Sequence, residues 1–361
     1  MSRYAGCLLG TAVGDALGAP TEFLPWPEIV ARYGPEGVQE FEPWGRFPAG
    51  TFTDDTQMTL ATARGLITAA GRVLAGDHES AARAVYDEYL RWLDLQDDPF
   101  HRRGPGQTCL TALQSGRMGT VAEPLNLSKG CGGVMRVAPV GLALAGRPDE
   151  AFALGAATAA TTHGHPCGYG SAGCAAAIVA RLMAAEPLDE AVEAELARPD
   201  LDDDTREVCR RAVELARAGA GPDEALARGM PAGAGGDTAP GGTAPGAGRS
   251  GGSAPGRPGT PRHRRRPPLG KGWVGEEALA IALYCALAFT RMPGGPEAVF
   301  QAAVRAAANH SGDTDSTAAI TGAILGAALG EAAVPRRWAE AVEAGDEILG
   351  LARAMAKKFE R

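Results

Sequence analysis

The sequence predicts an all-α fold, and three observations support this prediction. Apolar residues recur at helical spacing through most of the 361 residues, most clearly at 60–67, 278–289 and 319–327. Alternating runs of Val, Ile and Thr with the length of a strand are nearly absent. Much of the apolar face is Ala and Gly, which lets neighbouring helices approach closely. We therefore expect a compact bundle of many helices.

The composition is typical of a soluble globular protein, with 45% hydrophobic and 22% charged residues. The net charge of −8 argues against general nucleic-acid binding, because a phosphate backbone is bound through clustered Lys and Arg. Seven scattered cysteines include no C-x-x-C pair, which favours reduced thiols in the cytoplasm. The apolar run after Arg3 is too short for an export signal, and no segment reaches transmembrane length. We expect a cytoplasmic monomer without membrane contact.

Two short acidic clusters, at 53–56 and 311–317, contain the main functional signal. Each places carboxylates and hydroxyls just before a helical pattern, so each is expected at a helix N-terminus, where free N–H groups and the helix dipole favour anions. Either cluster alone could simply cap its helix, because Thr, Ser and Asp are preferred N-cap residues. If the fold brings both together, their carboxylates require cations for neutralisation. Oxygen ligands favour Mg²⁺ or Mn²⁺, so the residues predict a dinuclear hydrolase of the magnesium type.

Residues 229–270 interrupt the helical pattern. This stretch is rich in Gly, Pro, Ala, Ser and Thr, and it lacks the apolar residues needed to offset the entropy of ordering. Its arginine run at 262–266 is interpreted as part of a solvated loop, given the acidic remainder of the chain. Length alone would suggest about two domains. We instead predict one domain spanning 1–361 with a disordered insert, because the second acidic cluster lies beyond the insert and needs the first.

Six short motifs follow one another along the chain. They are 10–18 (GTAVGDALG) with Glu22 after it, 50–56 (GTFTDDT), 132–136 (GGVMR), 162–166 (THGHP), 272–279 (GWVGEEAL) and 312–316 (GDTDS). In this order they resemble the ADP-ribosylglycohydrolases, the family that includes the hydrolase of ADP-ribosylated dinitrogenase reductase and the animal ADP-ribosyl-acceptor hydrolases. Each motif is weak alone, but their joint order is specific. The resemblance covers almost the whole chain outside the insert.

The resemblance implies an all-α fold with a central cleft that holds two Mg²⁺ ions, or Mn²⁺ in their place. It also implies a Mg²⁺-dependent hydrolase that cleaves the glycosidic bond between ADP-ribose and an acceptor. The ADP-ribosylated substrate could be a protein, a nucleic acid or a small molecule. The implied metal ligands are Thr53, Asp54 and Asp55 for one ion and Asp313 and Ser316 for the other, with Asp315 shared between them.

Two carboxylates are the catalytic candidates. By resemblance, Glu22 would lie on a mobile segment over the site, near the scissile ribose, and either Glu22 or Asp55 could orient a water molecule or transfer a proton. Family members commonly have Asn where this chain has Cys131. The substrate-binding candidates are Gly130, Gly132 and Gly133 through their backbone N–H groups, Arg136 as an anion partner, and His163 in the ribose and phosphate cleft.

These substrate-binding candidates also have structural interpretations. The glycines could form a tight turn that enters a helix, and the histidines before Pro166 could be structural. The loop at 97–103 lies where relatives have substrate-facing residues, and its basic end departs from what the family predicts. The motifs do not distinguish an arginine, a serine, a nucleic-acid base or a small molecule as the acceptor.

Two other classes of function are weighed against the hydrolase. A catalytically silent ADP-ribose-binding or structural relative could lose metal ligands and keep the fold, but this chain retains every acidic candidate and Glu22. Residues 313–317 also match the D-x-D-x-T pattern of metal-dependent phosphohydrolases with an aspartate nucleophile. That chemistry requires a buried strand before the first Asp, whereas 300–309 has a helical pattern. We therefore expect an active ADP-ribosylglycohydrolase.

Overall fold

The computed structural model describes residues 2–228 and 268–360. The predicted insert lies outside these residues, apart from its last three positions. In the described part, β-type pairing is limited to two isolated bridges, Trp44 with Phe47 and Gly130 with Val274. The all-α prediction is confirmed. The helices are α1 (Ser2–Gly18), α2 (Trp26–Tyr33), α3 (Asp54–Thr68), α4 (Ala70–Leu74), α5 (His78–Asp94), α6 (Gln107–Gln114), α7 (Ala138–Ala143), α8 (Pro148–Ala160), α9 (Pro166–Met183), α10 (Leu188–Leu196), α11 (Asp203–Ala218), α12 (Pro222–Ala225), α13 (Gly275–Phe289), α14 (Pro296–Ala307), α15 (Thr314–Leu329), α16 (Arg336–Ala341) and α17 (Gly345–Phe359), with short 3₁₀ turns at Leu95–Asp97, Cys131–Gly133 and Glu331–Ala333.

Helices α1 and α15 form the centre of the fold and run antiparallel in close contact. Glycines recur every four residues on α1, and the backbone of α15 lies directly against them. A Cβ at Gly6 would lie 2.5 Å from the carbonyl oxygen of Gly326. A Cβ at Gly10 would lie 2.2 Å from the carbonyl oxygen of Gly322. Only glycine permits this approach. The contact places the C-terminal half of α1 beside the N-terminus of α15.

Both acidic clusters begin a helix in the structure. Thr53 is the N-cap of α3, and its hydroxyl accepts a hydrogen bond from the Asp55 N–H at 3.3 Å. Asp313 is the N-cap of α15, and its carboxylate accepts from the Ser316 N–H at 3.4 Å. The two clusters therefore do cap their helices. Capping uses only two of the side chains, so the other acids need a different explanation.

Helices α9 and α13 pack against α15 and complete the interior. Their buried faces consist mostly of small residues, Ala above all, with Cys174 and Cys285 fully enclosed. Small side chains keep these helices close, as their composition predicted. No helix in the described ranges is long and apolar enough to cross a membrane.

Candidate metal centre and substrate cavity

Asp15 connects α1 to the N-terminus of α3. Its buried carboxylate accepts hydrogen bonds from the backbone N–H groups of Thr53 at 2.8 Å and Thr56 at 2.9 Å, and from the Thr56 hydroxyl at 2.6 Å. These bonds occupy N–H groups that a helix start leaves without intrahelical partners. They fix the first turn of α3, and with it Asp54 and Asp55, against α1.

The two clusters meet at one cavity of about 300 Å³. Oxygens of Glu22, Asp313 and Asp315 all lie within 4.8 Å of one another. Asp54, Asp55 and Ser316 line the same cavity. Thr53 does not line it, and its hydroxyl accepts a hydrogen bond from the Asp55 N–H. Of the six residues predicted as metal ligands, the fold thus brings five to the cavity surface and puts Thr53 directly behind them.

The mutual repulsion of these acids raises their pKa values. Burial and the neighbouring Asp315 charge raise the pKa of Asp15 to about 7 and that of Asp54 to about 8. The same two causes, in the same order, hold the pKa values of Glu22, Asp55 and Asp313 well above their ordinary range. Without cations, the cluster therefore retains protons that isolated carboxylates would lose.

The donor set fits hard divalent cations. Asp55 Oδ2 and Asp315 Oδ1 are buried and have no hydrogen-bond partner within the described ranges. Buried carboxylate oxygens without partners are costly unless something absent from the protein satisfies them. No Lys or Arg is among the described residues that line the cavity, so none of these residues supplies a positive counter-charge there. Carboxylate and hydroxyl oxygens are the ligands that Mg²⁺ and Mn²⁺ prefer.

Cys131 contacts the second acidic cluster directly. Its thiol donates to Asp313 Oδ2 at 2.8 Å, and the Ser316 hydroxyl lies 3.7 Å from its sulfur. Burial, followed by the charges of Asp313 and Asp55, raises the pKa of this thiol well above its usual range. Cys131 is therefore a neutral donor to an acidic residue, the role that an Asn amide could also perform.

The glycine-rich turn forms one wall of the cavity. Gly130 and Gly132 line it, and both pack against the ring of His163, which also faces the cavity. A Cβ at Gly132 would lie 2.7 Å from His163 Cε1. Gly133 is not among the residues that line the cavity, and a Cβ there would meet Ala159 and the carbonyl oxygen of Gly168 in α9. The glycines serve as much to make room for the histidine as to expose N–H groups.

Comparison with known proteins agrees with this geometry. The sequence model of the ADP-ribosylglycohydrolase family matches residues 1–361. The chain belongs to this family. It is 34% identical over 166 residues to the ADP-ribosyl-[dinitrogen reductase] glycohydrolase of Rhodospirillum rubrum, which covers 45% of the chain and 52% of that protein.

Two further similarities extend the comparison. The ADP-ribosylhydrolase ARH3 of Bos taurus is 31% identical over 188 residues, covering 48% of the chain and 47% of that protein. The chain thus spans about half the length of the curated relatives it matches. A solved structure of an ADP-ribosylglycohydrolase-related protein complex superposes with a TM-score of 0.65 at 26% identity, covering 99% of this chain and 98% of that one.

Arg136 does not have the position expected of a substrate-binding residue in this member of the family. The sequence placed it as an anion partner, but its side chain is 1% exposed and does not line the cavity. It points away from the cavity, with its guanidinium 4.2 Å from the centre of the Tyr89 ring. An arginine after a glycine-rich turn can face either way, and the packing of α3 and α5 turns this one inward.

Aromatic residues that the sequence analysis did not assign to the site form another wall. The rings of Phe23 and Trp273 stack with centroids 4.9 Å apart, and both line the cavity. Phe23 is 64% exposed and has a φ of 64°, an uncommon conformation for a residue with a large side chain. The signal that could have found Phe23 is its place directly after Glu22.

The basic end of the loop at 97–103 has a structural role. Arg103 pairs with Glu343 through both guanidinium nitrogens, one of them at 2.9 Å, and its guanidinium lies 5.4 Å from the ring centres of both Phe47 and Phe52. Its carbonyl accepts from the Asp54 N–H at 3.1 Å. Arg103 therefore supports the start of α3 and is not free for an acidic partner.

The D-x-D-x-T match is accidental. Asp313 caps α15 and follows α14 through a short bend, so it does not stand at the end of a strand. The aspartate-nucleophile phosphatase alternative is therefore excluded by the local fold.

Proposed function

We propose that this protein is a Mg²⁺-dependent hydrolase that cleaves the glycosidic bond between ADP-ribose and an acceptor. The observation that carries the proposal is the convergence of five carboxylates, from Glu22 and the two helix N-termini, on one cavity. Membership of a glycohydrolase family supports a glycosidic bond as the target. The names of the bacterial and bovine relatives, a glycohydrolase and a hydrolase of ADP-ribosyl groups, support ADP-ribose as the sugar nucleotide.

The proposed metal ligands divide between the two helix starts. Asp54 and Asp55, with Thr53 behind them, would hold one ion, and Asp313 and Ser316 the other, with Asp315 between them. Two bound divalent ions would supply Lewis acidity for the ribose hydroxyls and lower the pKa of a water near the anomeric carbon. Mn²⁺ could replace Mg²⁺, because both are hard ions with the same charge.

Glu22 and Asp55 are the proposed groups for proton transfer. Both carboxylates reach the cavity, and Glu22 is half-buried, which leaves it able to face a substrate from above. Burial and like charges hold both pKa values well above the ordinary range, so each carboxyl holds a proton more readily than an isolated acid does. Phe23 and Trp273 would cover the reacting centre on one side and limit the access of water.

A larger groove of about 790 Å³ adjoins the cavity and shares Glu22, Phe23 and Gly104 with it. We propose that this groove receives the acceptor. Trp44 and Glu42 are among the side chains that line it. Because Glu22 stands between the two spaces, a scissile bond beside Glu22 would leave ADP-ribose in the cavity and the acceptor in the groove.

The decisive experiment is a panel of ADP-ribosylated substrates with arginine, serine, nucleic-acid base and small-molecule linkages. We expect release of free ADP-ribose from at least one of them, dependent on Mg²⁺ and abolished by EDTA. Binding of ADP-ribose with no hydrolysis of any linkage would instead favour the silent binding protein. All seven cysteines are free thiols, which supports assay under reducing conditions and a cytoplasmic location.

A further inference from the structure

Arg136 is a buried cation without an ion pair among the described residues. Its side chain is 1% exposed. Its two terminal nitrogens contact the sulfurs of Met58 and Cys109 at 3.4 Å and the Thr162 hydroxyl at 2.7 Å, and its Nε has no partner. A buried charge without a carboxylate partner carries a desolvation penalty that no opposite charge offsets. Such a cost suggests that the arginine serves something it contacts.

The contact that leads to the cavity is the one with Thr162. This hydroxyl accepts from Arg136, so its single proton is available for one acceptor. Two acceptors are near: His163 Nδ1 at 2.8 Å and the Ala159 carbonyl oxygen at 3.5 Å. The second distance is beyond the normal range for an O–H donor. The hydroxyl therefore donates to His163 Nδ1.

A histidine whose Nδ1 accepts a hydrogen bond carries its proton on Nε2 when neutral. The ring of His163 is wedged against Gly130 and Gly132 and lines the cavity. Within the described ranges, its Nε2 has no hydrogen-bond partner. Burial and the nearby Arg136 charge lower the pKa of His163 to about 3, so the ring stays neutral. A single N–H donor thus lies in the cavity wall, beside Gly130 and Gly132.

We propose that Arg136 and Thr162 are positioning residues that fix His163 as the Nε2–H tautomer, and that this N–H donates to an oxygen of the ADP-ribose moiety. The ligand part rests on the proposed function, whereas the relay from Arg136 to Thr162 to His163 does not. The relay also explains why an arginine that never reaches the cavity is retained at the cost of burying its charge. The donor is neutral, so its strength does not change as pH varies around neutrality.

The tautomer can be read directly by ¹⁵N NMR of the full-length protein labelled at histidine, with His163→Gln used to assign the ring. We expect a protonated Nε2 and an unprotonated Nδ1 in the free protein. Thr162→Val keeps the shape of the side chain but removes the hydroxyl, so the ring should become a mixture of tautomers. Thr162→Ser should restore the single form. A protonated Nδ1 in the wild type, or an unchanged spectrum in Thr162→Val, overturns the relay.

The ligand part is tested by titrating ADP-ribose into the same samples. We expect the Nε2 resonance to shift on binding, and the affinity to fall about tenfold in Thr162→Val and recover in Thr162→Ser. Thr158→Val is the matched control, because Thr158 is buried in α8 and bonds only the carbonyl of its own helix at 2.9 Å. If ADP-ribose binds without moving Nε2, the donor role is wrong. If the expected tautomer is present but ADP-ribose does not bind, the proposed function and the ligand fail while the relay stands.

Discussion

Asp15 accepts two hydrogen bonds from Thr56, one from its backbone N–H at 2.9 Å and one from its hydroxyl at 2.6 Å. A carboxylate inside a central helix thus holds the first turn of another helix. Hydrogen bonds to charged groups are stronger than those between neutral groups. These hydrogen bonds between Asp15 and Thr56 explain how the first acidic cluster is held facing the second, although the two clusters are far apart in sequence.

Thr56→Val should lower the free energy of unfolding by about 1.5–3 kcal/mol, because Asp15 loses a charge-assisted bond inside the protein. The measurement is chemical denaturation with Mg²⁺ at pH 8.5, where Asp15, with a pKa of about 7, is ionised. Thr56→Ser should retain wild-type stability. Thr321→Val is the control, since the Thr321 hydroxyl bonds only the carbonyl of its own helix. If both valine variants lose the same free energy of unfolding, the hydrogen bond to Asp15 stabilises the protein no more than a hydroxyl bond within a helix does.

Gly14→Ala should destabilise the protein by about 1–3 kcal/mol, because its Cβ would overlap the backbone of Ala318 and separate α1 from α15. Gly71→Ala is the matched control: a Cβ at this position in α4 meets nothing within 4 Å. There the alanine should stabilise by about 0.5–1 kcal/mol by reducing the freedom of the unfolded chain. Thermal melts of both variants give the comparison, and a stable Gly14→Ala protein would contradict the close helix contact.

The helices and the acidic clusters were predictable because their signals are local. The apolar spacing at 278–289 and the hydroxyl and carboxylate residues at 53–56 show themselves within a few positions. Asp15 was missed as a site residue because its neighbours are Gly and Ala. Its role depends on where α3 begins in space, which the residues around it do not encode.

Arg136 and Gly133 both lie off the cavity surface, and the two positions have the same cause. A turn rich in glycine suggests backbone contacts to an anion, and an arginine after it suggests a charge partner. Which side chains face the cavity depends on the direction in which the chain leaves the turn. Here that direction follows from tertiary packing: Gly133 lies against α8 and α9, and Arg136 lies against α3 and α5.

Asp54→Ala or Asp313→Ala should abolish turnover and weaken Mg²⁺ binding while helical content persists. Each change also removes one charge from the buried cluster, so the melting temperature in EDTA should stay equal or rise. Asp87→Ala is the control, because Asp87 is exposed on α5. Isothermal titration with Mg²⁺, circular dichroism and the hydrolysis assay test the three parts. Full activity in either site variant would disprove the assignment.

The metal-free protein should become more stable as the pH is lowered from 8.5 to 6.5. In the folded state the pKa values of Asp15 and Asp54 are about 7 and 8, against an ordinary value of 3.8, so folding takes up protons in this range. The stability they contribute when protonated is lost as the pH rises through these values. Buried His163 and His310, with pKa values of about 3, give the opposite slope only below their ordinary 6.5.

Saturating Mg²⁺ should remove this dependence on pH, because the cations replace the protons as the source of neutralisation. Melting temperatures in EDTA and in Mg²⁺ at several pH values provide the measurement. A melting temperature in EDTA that falls between pH 8.5 and 6.5 would mean that the cluster is already neutralised by something else.

Glu22→Gln provides the sharpest test of how the site divides its work. The change keeps the shape of the side chain and removes its basic charge. If Glu22 handles a proton or a water near the sugar, turnover should fall by about 10²-fold while Mg²⁺ and ADP-ribose still bind.

Glu22 could instead be a metal ligand, because one of its oxygens lies within 4.8 Å of oxygens of both Asp313 and Asp315. Loss of Mg²⁺ affinity together with turnover would identify Glu22 as a metal ligand. Calorimetry with Mg²⁺ and ADP-ribose beside the hydrolysis assay separates these outcomes, with Glu28→Gln on the exposed face of α2 as the control. Retained turnover would assign the proton transfer to Asp55, the other carboxylate candidate in the cavity.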